Sequence, residues 1–169
     1  EIVQAGGRAK ALHGDVSDPA TADALFTALE EEYGPVLVLV NNAGVRADGL
    51  APMIDDDDWD RVLNTNLSAA FRLTRRALRP MIRARYGRVV NISSIVGAVK
   101  GNAGQANYAA SKAGLVAMTR TVAAEVARRV ILRTTGGAPV DVIVPREILR
   151  QKERTQRIFN VVTGAIAAI

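Results

Sequence analysis

Hydrophobic positions in the chain form short continuous runs separated by longer stretches with helical spacing. The clearest run, 36–40, is Val-Leu-Val-Leu-Val without a polar break. Such a run is typical of a strand that is buried on both faces of a parallel sheet. Amphipathic stretches lie before and after it, at about 19–33 and 59–85, and another lies at about 105–129. The alternation of strands and helices predicts an α/β fold with a parallel sheet.

Residues at the ends of these stretches mark element boundaries. Asp18 followed by Pro19 predicts the start of the first helix, and Gly34 predicts its end. The acidic run 55–58 favours a helix entrance over a metal site, because negative charge complements the helix dipole. Pro80 is expected to kink or divide the second helical stretch.

Further strands are predicted at 8–13 and 88–93, and the last part of the chain has a different character. A strand is predicted at 140–144, followed by a helical pattern from Pro145 and by the almost wholly apolar segment 158–169. That segment is shorter than the roughly 20 residues that a membrane helix needs. A longer membrane helix that continues beyond the chain is therefore an open alternative.

The composition of the 169 residues excludes several kinds of site. With no cysteine and one histidine, disulfide frameworks, thiolate metal sites and histidine-based zinc sites are not expected. Aromatic residues make up 4%, which argues against a stacking platform for nucleic acid, although a net charge of +5 suits an acidic partner or a solvated surface. Residues 1–7 resemble the last turn of a helix that glycine ends, so we expect a fragment.

The strongest chemical signal is the pair Tyr108 and Lys112. These residues are four apart in a predicted helix and therefore lie on one face. A neighbouring ammonium favours the phenolate, so the tyrosine can exchange a proton near neutral pH. The spacing alone is a weak signal, and a surface tyrosine packed on a lysine stem is the alternative.

Three other polar features lie near predicted strand ends or inside a helix. Ser93 and Ser94 end one strand, and Asn-Asn-Ala-Gly at 41–44 follows another, where α/β folds bind ligands. Asn66 lies inside a predicted helical stretch although asparagine has a low helix propensity, which suggests a local polar role. A solvent-facing asparagine is the alternative for this position.

In this order, these residues resemble the signature of the short-chain dehydrogenase/reductase family. The segment 14–18 is similar to the acidic turn of that family, and the run 101–108 is similar to the active-site run of 3-oxoacyl-acyl-carrier-protein reductases. The resemblance covers about residues 1–129. It implies an incomplete doubly wound Rossmann-type parallel sheet and a nicotinamide-dependent oxidoreductase.

The resemblance also implies catalytic roles. Tyr108 would protonate the substrate carbonyl oxygen, and Lys112 would support Tyr108 and bind the nicotinamide ribose. Ser94 would orient the carbonyl, and Asn66 would hold a water in a proton relay. The loop from Ser94 to Tyr108 is one residue longer than the family pattern, which leaves Ser93 as an alternative, although the register favours Ser94.

Cofactor and partner positions follow from the same resemblance. NADPH is the expected cofactor, with NADH not excluded, and the matching positions are Asp15, Val16, Asn42, Ala43, Gly44, Tyr108 and Lys112. Arg85 and Arg129 match positions that receive the acidic carrier protein, with ordinary helix-end arginines as the alternative. The expected substrate is linked to acyl carrier protein or is a small ketone. We also expect a homo-oligomer formed through the helices at 59–85 and 105–129, a cytoplasmic location and no nucleic-acid partner.

Two parts of the family pattern are missing. The glycine-rich turn for the cofactor pyrophosphate would precede Glu1, and the last strands would follow Arg129. Residues 131–169 instead resemble the permease subunit of macrolide-exporter-type ABC transporters. We therefore expect a partial reductase domain at 1–129 and an unrelated strand-and-helix tail at 130–169, with a divergent reductase end as the alternative.

Three functional hypotheses follow. The chain is a reductase, a non-catalytic fragment or fusion that is associated with a membrane through its apolar end, or an inactive remnant that pairs with intact subunits. In the family's strand order, two strands lie between those at 8–13 and 36–40. Segment 8–13 is therefore expected to pack directly beside 36–40 or to stay loose.

Overall fold

A computed structural model describes residues 2–131 and 162–165, with side chains described to residue 127. The predicted elements at 140–144 and from Pro145 to residue 161 lie outside these residues. The elements are α1 (Pro19–Tyr33), β1 (Val38–Asn41), a 3-10 turn (Ala51–Met53), α2 (Asp56–Leu63), a π-helical turn (Asn64–Ser68), α3 (Ala69–Ala84), β2 (Arg88–Ile92), α4 (Ile95–Ala98), α5 (Ala106–Ile131) and β3 (Val162–Ala165).

The sheet has the order β1-β2-β3. β1 and β2 are parallel, with Asn41 opposite Asn91, as the alternation of strands and helices predicts. β3 pairs antiparallel with the other edge of β2. The prediction of an apolar helix over 158–169 is therefore wrong for residues 162–165, because the edge of β2 offers backbone groups with which an apolar segment can pair.

The boundaries of α1 are those that the sequence predicts. The Asp18 carboxylate accepts hydrogen bonds from the backbone N–H groups of Ala20 at 3.2 Å and Thr21 at 2.9 Å. At the other end, Gly34 has a φ of 80° and its N–H donates to the Glu30 carbonyl oxygen. A residue without a side chain adopts this conformation without steric cost, so Gly34 ends the helix.

The predicted strand at 8–13 is wrong. This segment has no regular secondary structure, and it lies exposed beside the end of α1. The Lys10 ammonium lies 2.6 Å from the Glu32 carboxylate, and the Arg8 guanidinium lies 4.7 Å from the centre of the Tyr33 ring. Among the described residues no strand pairs with the segment, so it does not pack as a strand beside 36–40.

The long helical stretch after β1 is interrupted at a position that the sequence does not predict. Asp55 accepts a hydrogen bond from the Asp58 N–H at 2.7 Å, which confirms the acidic run as a helix entrance. The stretch changes to π-helical geometry at Asn64–Ser68, whereas α3 continues through Pro80. The division expected at Pro80 is absent in α3 because Ala77 and Met81, both fully buried, hold this part of the helix in the core.

One face of the sheet is covered by helices. Phe26 of α1, Ala77 and Met81 of α3, and Val89 of β2 form the buried core. The other face of β1 is open, since Val38 and Val40 are each 55% exposed. The prediction that 36–40 is buried on both faces is therefore wrong, because the helices α1, α3 and α5 all pack on the same side.

The membrane alternative gains no support from the helices. In the part of the chain that the structure describes, no helix has both the length and the apolar character of a bilayer span.

Candidate active site

Tyr108 and Lys112 lie one turn apart in α5, and the Lys112 ammonium is 5.7 Å from the centre of the Tyr108 ring. Lys112 is 5% exposed, and its Nζ donates to the carbonyl oxygen of Ile92 at 2.8 Å. Burial holds the pKa of Lys112 below its ordinary value of 10.5. The contact with Ile92 anchors the ammonium at the carboxyl end of β2.

Asn66 lies in the π-helical turn and is almost fully buried. Its carboxamide bonds both backbone groups of Val45: Oδ1 accepts from the Val45 N–H at 2.8 Å, and Nδ2 donates to the Val45 carbonyl at 3.0 Å. Nδ2 also donates to the Ser111 hydroxyl at 3.1 Å. Asn66 therefore joins the loop after β1 to α5, and π-helical turns of this kind are frequent at functional sites.

Gly44 lies against the same groups. A Cβ atom at this position would lie 3.3 Å from Asn66 Oδ1 and 3.7 Å from Lys112 Nζ. The backbone of the Asn-Asn-Ala-Gly segment thus approaches both side chains closely. The structure brings Gly44, Asn66 and Lys112 together.

The two serines after β2 have different partners. The Ser93 hydroxyl donates to the backbone carbonyl of Lys112 at 3.2 Å, which ties it to α5. The Ser94 hydroxyl accepts from the Val96 N–H at 3.1 Å, and its own proton has no acceptor among the described residues. These contacts favour Ser94 as the serine whose proton is available to a ligand, and its catalytic role stays a prediction.

The segment between Ser94 and Tyr108 contains α4, a single irregular turn that the sequence does not predict. Gly97 has a φ of 89°, and a Cβ atom there would collide with the backbone of Ala109 in α5. The Gly97 N–H donates to the Lys100 carbonyl at 2.8 Å, which closes a tight turn. The loop expected to be one residue longer than the family pattern is folded closely onto the helix that contains Tyr108.

The loop after β1 is also attached to the start of α5. Gly49 and Gln105 form a parallel β-bridge. The Gln105 amide donates to both carboxylate oxygens of Asp48 at 3.2 Å, and Asn107 Nδ2 donates to the Ala47 carbonyl at 2.9 Å. These three contacts fix the position of the loop next to Tyr108.

A buried polar network lies beneath the site. Asn41 Nδ2 donates to Asn91 Oδ1 at 2.7 Å and to Thr74 Oγ1 at 3.1 Å, and Asn91 Nδ2 donates to Thr119 Oγ1 at 2.8 Å. The network links β1, β2, α3 and α5. Asn41 Oδ1 is buried and has no hydrogen-bond partner among the described residues.

Several predicted cofactor residues surround one cavity of about 80 Å³ at the carboxyl end of β1. It is lined by Val16, Val40, Asn41, Asn42, Ala43, Thr65, Ala69, Ala70 and Leu73. The structure thus brings Val16, Asn42 and Ala43 together. In open α/β sheets, ligands bind at the carboxyl ends of strands.

Asp15 is exposed beside this cavity and is not one of its lining residues. Its carboxylate accepts a hydrogen bond from the Ser17 N–H at 2.8 Å. That bond holds the pKa of Asp15 below its ordinary value. The aspartate therefore shapes the turn next to the cavity and remains charged at neutral pH.

The two arginines expected to receive a carrier protein lie at different helix positions. Arg85 is exposed and follows α3 with a φ of 51°, a left-handed conformation that ends the helix. Arg129 lies within α5, and its side chain is outside the described residues. Their pairing as a docking surface stays a prediction.

Sequence reasoning missed several residues that hold this site together. They are Arg72, which contacts the turn after Asp15, and Asp48, Gln105, Asn107 and Ser111. Polar side chains clustered in 41–48 and 102–111 are the available signal. Their pairing depends on contacts between elements that are distant in sequence.

Comparison with known proteins supports the resemblance to reductases. The model of the short chain dehydrogenase family matches residues 1–146. A 3-oxoacyl-[acyl-carrier-protein] reductase of Salmonella typhimurium is 43% identical over 140 residues, which cover 83% of this chain and 54% of the relative. The corresponding reductase of Vibrio cholerae is 37% identical over 168 residues, which cover 95% of this chain and 66% of that relative. Nodulation protein G of a Rhizobium species is 47% identical over 124 residues, which cover 73% of this chain and 50% of that relative.

These comparisons also bear on the resemblance of the tail to a transporter permease. The family match continues past residue 129 to residue 146, and the Vibrio cholerae relative aligns with 95% of the chain. The resemblance of 131–169 to a transporter permease is not borne out. The chain spans about half the length of the Salmonella typhimurium relative. The family match covers most of the sequence, and the chain belongs to the short-chain dehydrogenase family.

Proposed function

We propose that the chain is part of an oxidoreductase that reduces a 3-oxoacyl thioester, linked to acyl carrier protein, to its 3-hydroxyacyl form with NADPH. The arrangement of Tyr108 and Lys112 at the carboxyl end of the sheet is the observation on which the proposal rests. Reductases of this named activity from Salmonella typhimurium and Vibrio cholerae are similar over most of the chain.

The side chains at the carboxyl end of the sheet support a proton-transfer role. NADPH, when bound, supplies the hydride that reduces the carbonyl carbon. Tyr108 donates its phenolic proton to the carbonyl oxygen, so that the C=O bond becomes CH–OH. The Lys112 ammonium, 5.7 Å from the centre of the Tyr108 ring, places a positive charge next to the oxygen that gives up the proton. Ser94 donates a hydrogen bond to the same carbonyl oxygen and orients it.

The cavity is proposed to hold part of the adenosine of a nicotinamide cofactor. It combines apolar walls from Val16 and Ala43 with a buried Asn41 Oδ1 that lacks a partner among the described residues. Lys112, close to Gly44, would hold the nicotinamide ribose, and Asp15 and Asn42 would border the rest of the cofactor.

Asn66 is proposed to support the proton relay. Both hydrogens of its amide are used by Val45 and Ser111. Oδ1 accepts the Val45 N–H and keeps a second lone pair, which a relay water can use. The same proposal includes a homo-oligomer and a contact of the carrier protein with Arg85 and Arg129. It also places the boundary of the reductase domain near residue 129.

The proposal is tested by measuring NADPH binding and reduction of a 3-oxoacyl thioester by the full chain. Tyr108→Phe is expected to retain binding and to lose turnover, whereas Tyr86→Phe, on an exposed tyrosine, retains both. Lys112→Ala is expected to weaken binding, with Lys100→Ala as the exposed control. Binding without turnover in the wild-type chain would indicate a non-catalytic fragment, and absence of binding would contradict the cofactor assignment.

A further inference from the structure

Arg72 connects two parts of the molecule that are far apart in sequence. It lies in α3, and its Nη2 donates to the backbone carbonyl of Ser17 at 2.8 Å and to Asn64 Oδ1 at 2.9 Å. Ser17 belongs to the turn that precedes α1, and Asn64 begins the π-helical turn. The guanidinium therefore bridges the turn and the π-helical segment.

The Ser17 carbonyl receives a second contact, from the Asn64 amide. Asn64 Nδ2 lies 3.5 Å from it, and the Ser17 N–H is bound by the Asp15 carboxylate at 2.8 Å. The short turn 15–17 is thus fixed by one internal hydrogen bond and by two side chains from the segment Asn64–Arg72. Hydrogen bonds to a charged donor are stronger than neutral ones, so Arg72 makes the principal contact.

The residues that Arg72 joins are next to residues that line the cavity. Val16 precedes Ser17 and Thr65 follows Asn64, and both Val16 and Thr65 line the cavity at the end of β1. A displacement of either backbone segment therefore changes the cavity directly. Arg72 itself is not one of its lining residues.

We propose that Arg72 is a positioning residue that holds Val16 and Thr65 at the spacing the cavity needs to bind the adenosine end of NADPH. The ligand assignment rests on the proposed function; the positioning role does not. Arg72 acts through the Ser17 carbonyl and the Asn64 amide and does not touch the ligand. Both hydrogen bonds come from Nη2, and lysine ends in a compact ammonium on a flexible stem, so it keeps the charge without the fixed planar geometry that directs the two bonds.

Arg76 provides a matched control in the same helix. Its guanidinium also links α3 to α1, with Nη1 at 3.2 Å from the Glu30 carboxylate, but it does not contact turn 15–17 or line the cavity. Loss of Arg76 therefore loosens the contact between the helices without changing the cavity. Comparison of the two arginines separates a positioning effect from a general loss of stability.

The experiment measures NADPH affinity by calorimetry and hydrogen exchange of the Ser17 amide in the full chain. Arg72→Ala is expected to weaken NADPH binding by about tenfold and to speed Ser17 exchange by a similar factor. For Arg72→Lys, the NADPH affinity and the Ser17 exchange rate are both expected to lie between those of Arg72→Ala and the wild type. Arg76→Ala is expected to change neither quantity by more than about twofold.

Each result decides between the assignments. Ser17 exchange that is equal in the wild type and in Arg72→Lys and Arg72→Ala would overturn the positioning role. If the wild-type chain does not bind NADPH, the cofactor assignment fails. In that case, Ser17 exchange that is faster in Arg72→Lys than in the wild type would still support the positioning role. If Arg72→Ala does not fold, Arg72→Lys supplies both readouts.

Discussion

The Asn66 carboxamide and the Ser111 hydroxyl are joined by a hydrogen bond of 3.1 Å between the π-helical turn and α5. Ser111 is fully buried, and its hydroxyl donates to the backbone carbonyl of Tyr108 at 2.7 Å. Asn66 and Ser111 thus connect the loop after β1 to the helical turn that contains Tyr108 and Lys112. Three segments that are distant in sequence meet through one amide.

Removal of the Asn66 carboxamide is expected to destabilise the fold more than removal of its partner. Asn66→Ala leaves the backbone groups of Val45 unpaired and is expected to lower the free energy of unfolding by about 3 kcal/mol. Ser111→Ala is expected to cost about 1 kcal/mol. Urea unfolding of both single variants and the double variant measures the coupling, and strictly additive effects would contradict a direct interaction.

Burial of Lys112 predicts a pH dependence of stability. Its folded pKa is lowered below 10.5, so between that lowered value and 10.5 the unfolded chain binds more protons than the folded chain. The free energy of unfolding is therefore expected to rise with pH in this window, relative to Lys112→Met. Urea unfolding from about pH 7 to about pH 10 measures the difference. A constant difference between wild type and Lys112→Met would contradict the prediction, and Lys100→Met is the exposed control.

Substitution of Gly97 is expected to disturb the contact between α4 and α5. Gly97 combines a φ of 89° with close approach to the backbone of Ala109. Gly97→Ala is therefore expected to cost about 3 kcal/mol. Gly34 has a similar φ of 80°, but the space around it is open. Gly34→Ala is therefore expected to lower the free energy of unfolding by about 1 kcal/mol, from backbone strain alone. Equal costs in thermal unfolding would show that the close approach is unimportant.

Thr119 and Thr121 form a natural pair for testing the buried network. Both hydroxyls donate to the carbonyl four residues earlier in α5, but only Thr119 is buried and accepts from Asn91. Thr119→Val is expected to cost about 2 kcal/mol, because it leaves the Asn91 amide without its partner. Thr121→Val is expected to change stability by less than about 0.5 kcal/mol. A small effect at both positions in urea unfolding would mean that the network contributes little.

Local residue chemistry determined much of the fold. Asp18, Pro19 and Gly34 predict the ends of α1, and the acidic run 55–58 predicts the entrance to α2, because helix caps depend on neighbouring residues alone. The apolar run 36–40 correctly predicts a strand, although β1 occupies Val38–Asn41. The order of polar motifs also determined the family.

Positions that depend on distant neighbours were decided by the tertiary structure. Segment 8–13 is predicted as a strand but has no pairing strand among the described residues, and residues 162–165 pair with β2 instead of forming a helix. The π-helical turn at Asn64–Ser68, the bridge from Arg72 to Ser17 and the burial of Lys112 each require contact between separate elements. The sequence determined which polar groups are available and which local caps form. Only packing decided which groups meet, because a buried polar group must find its hydrogen-bond partner wherever the chain brings one.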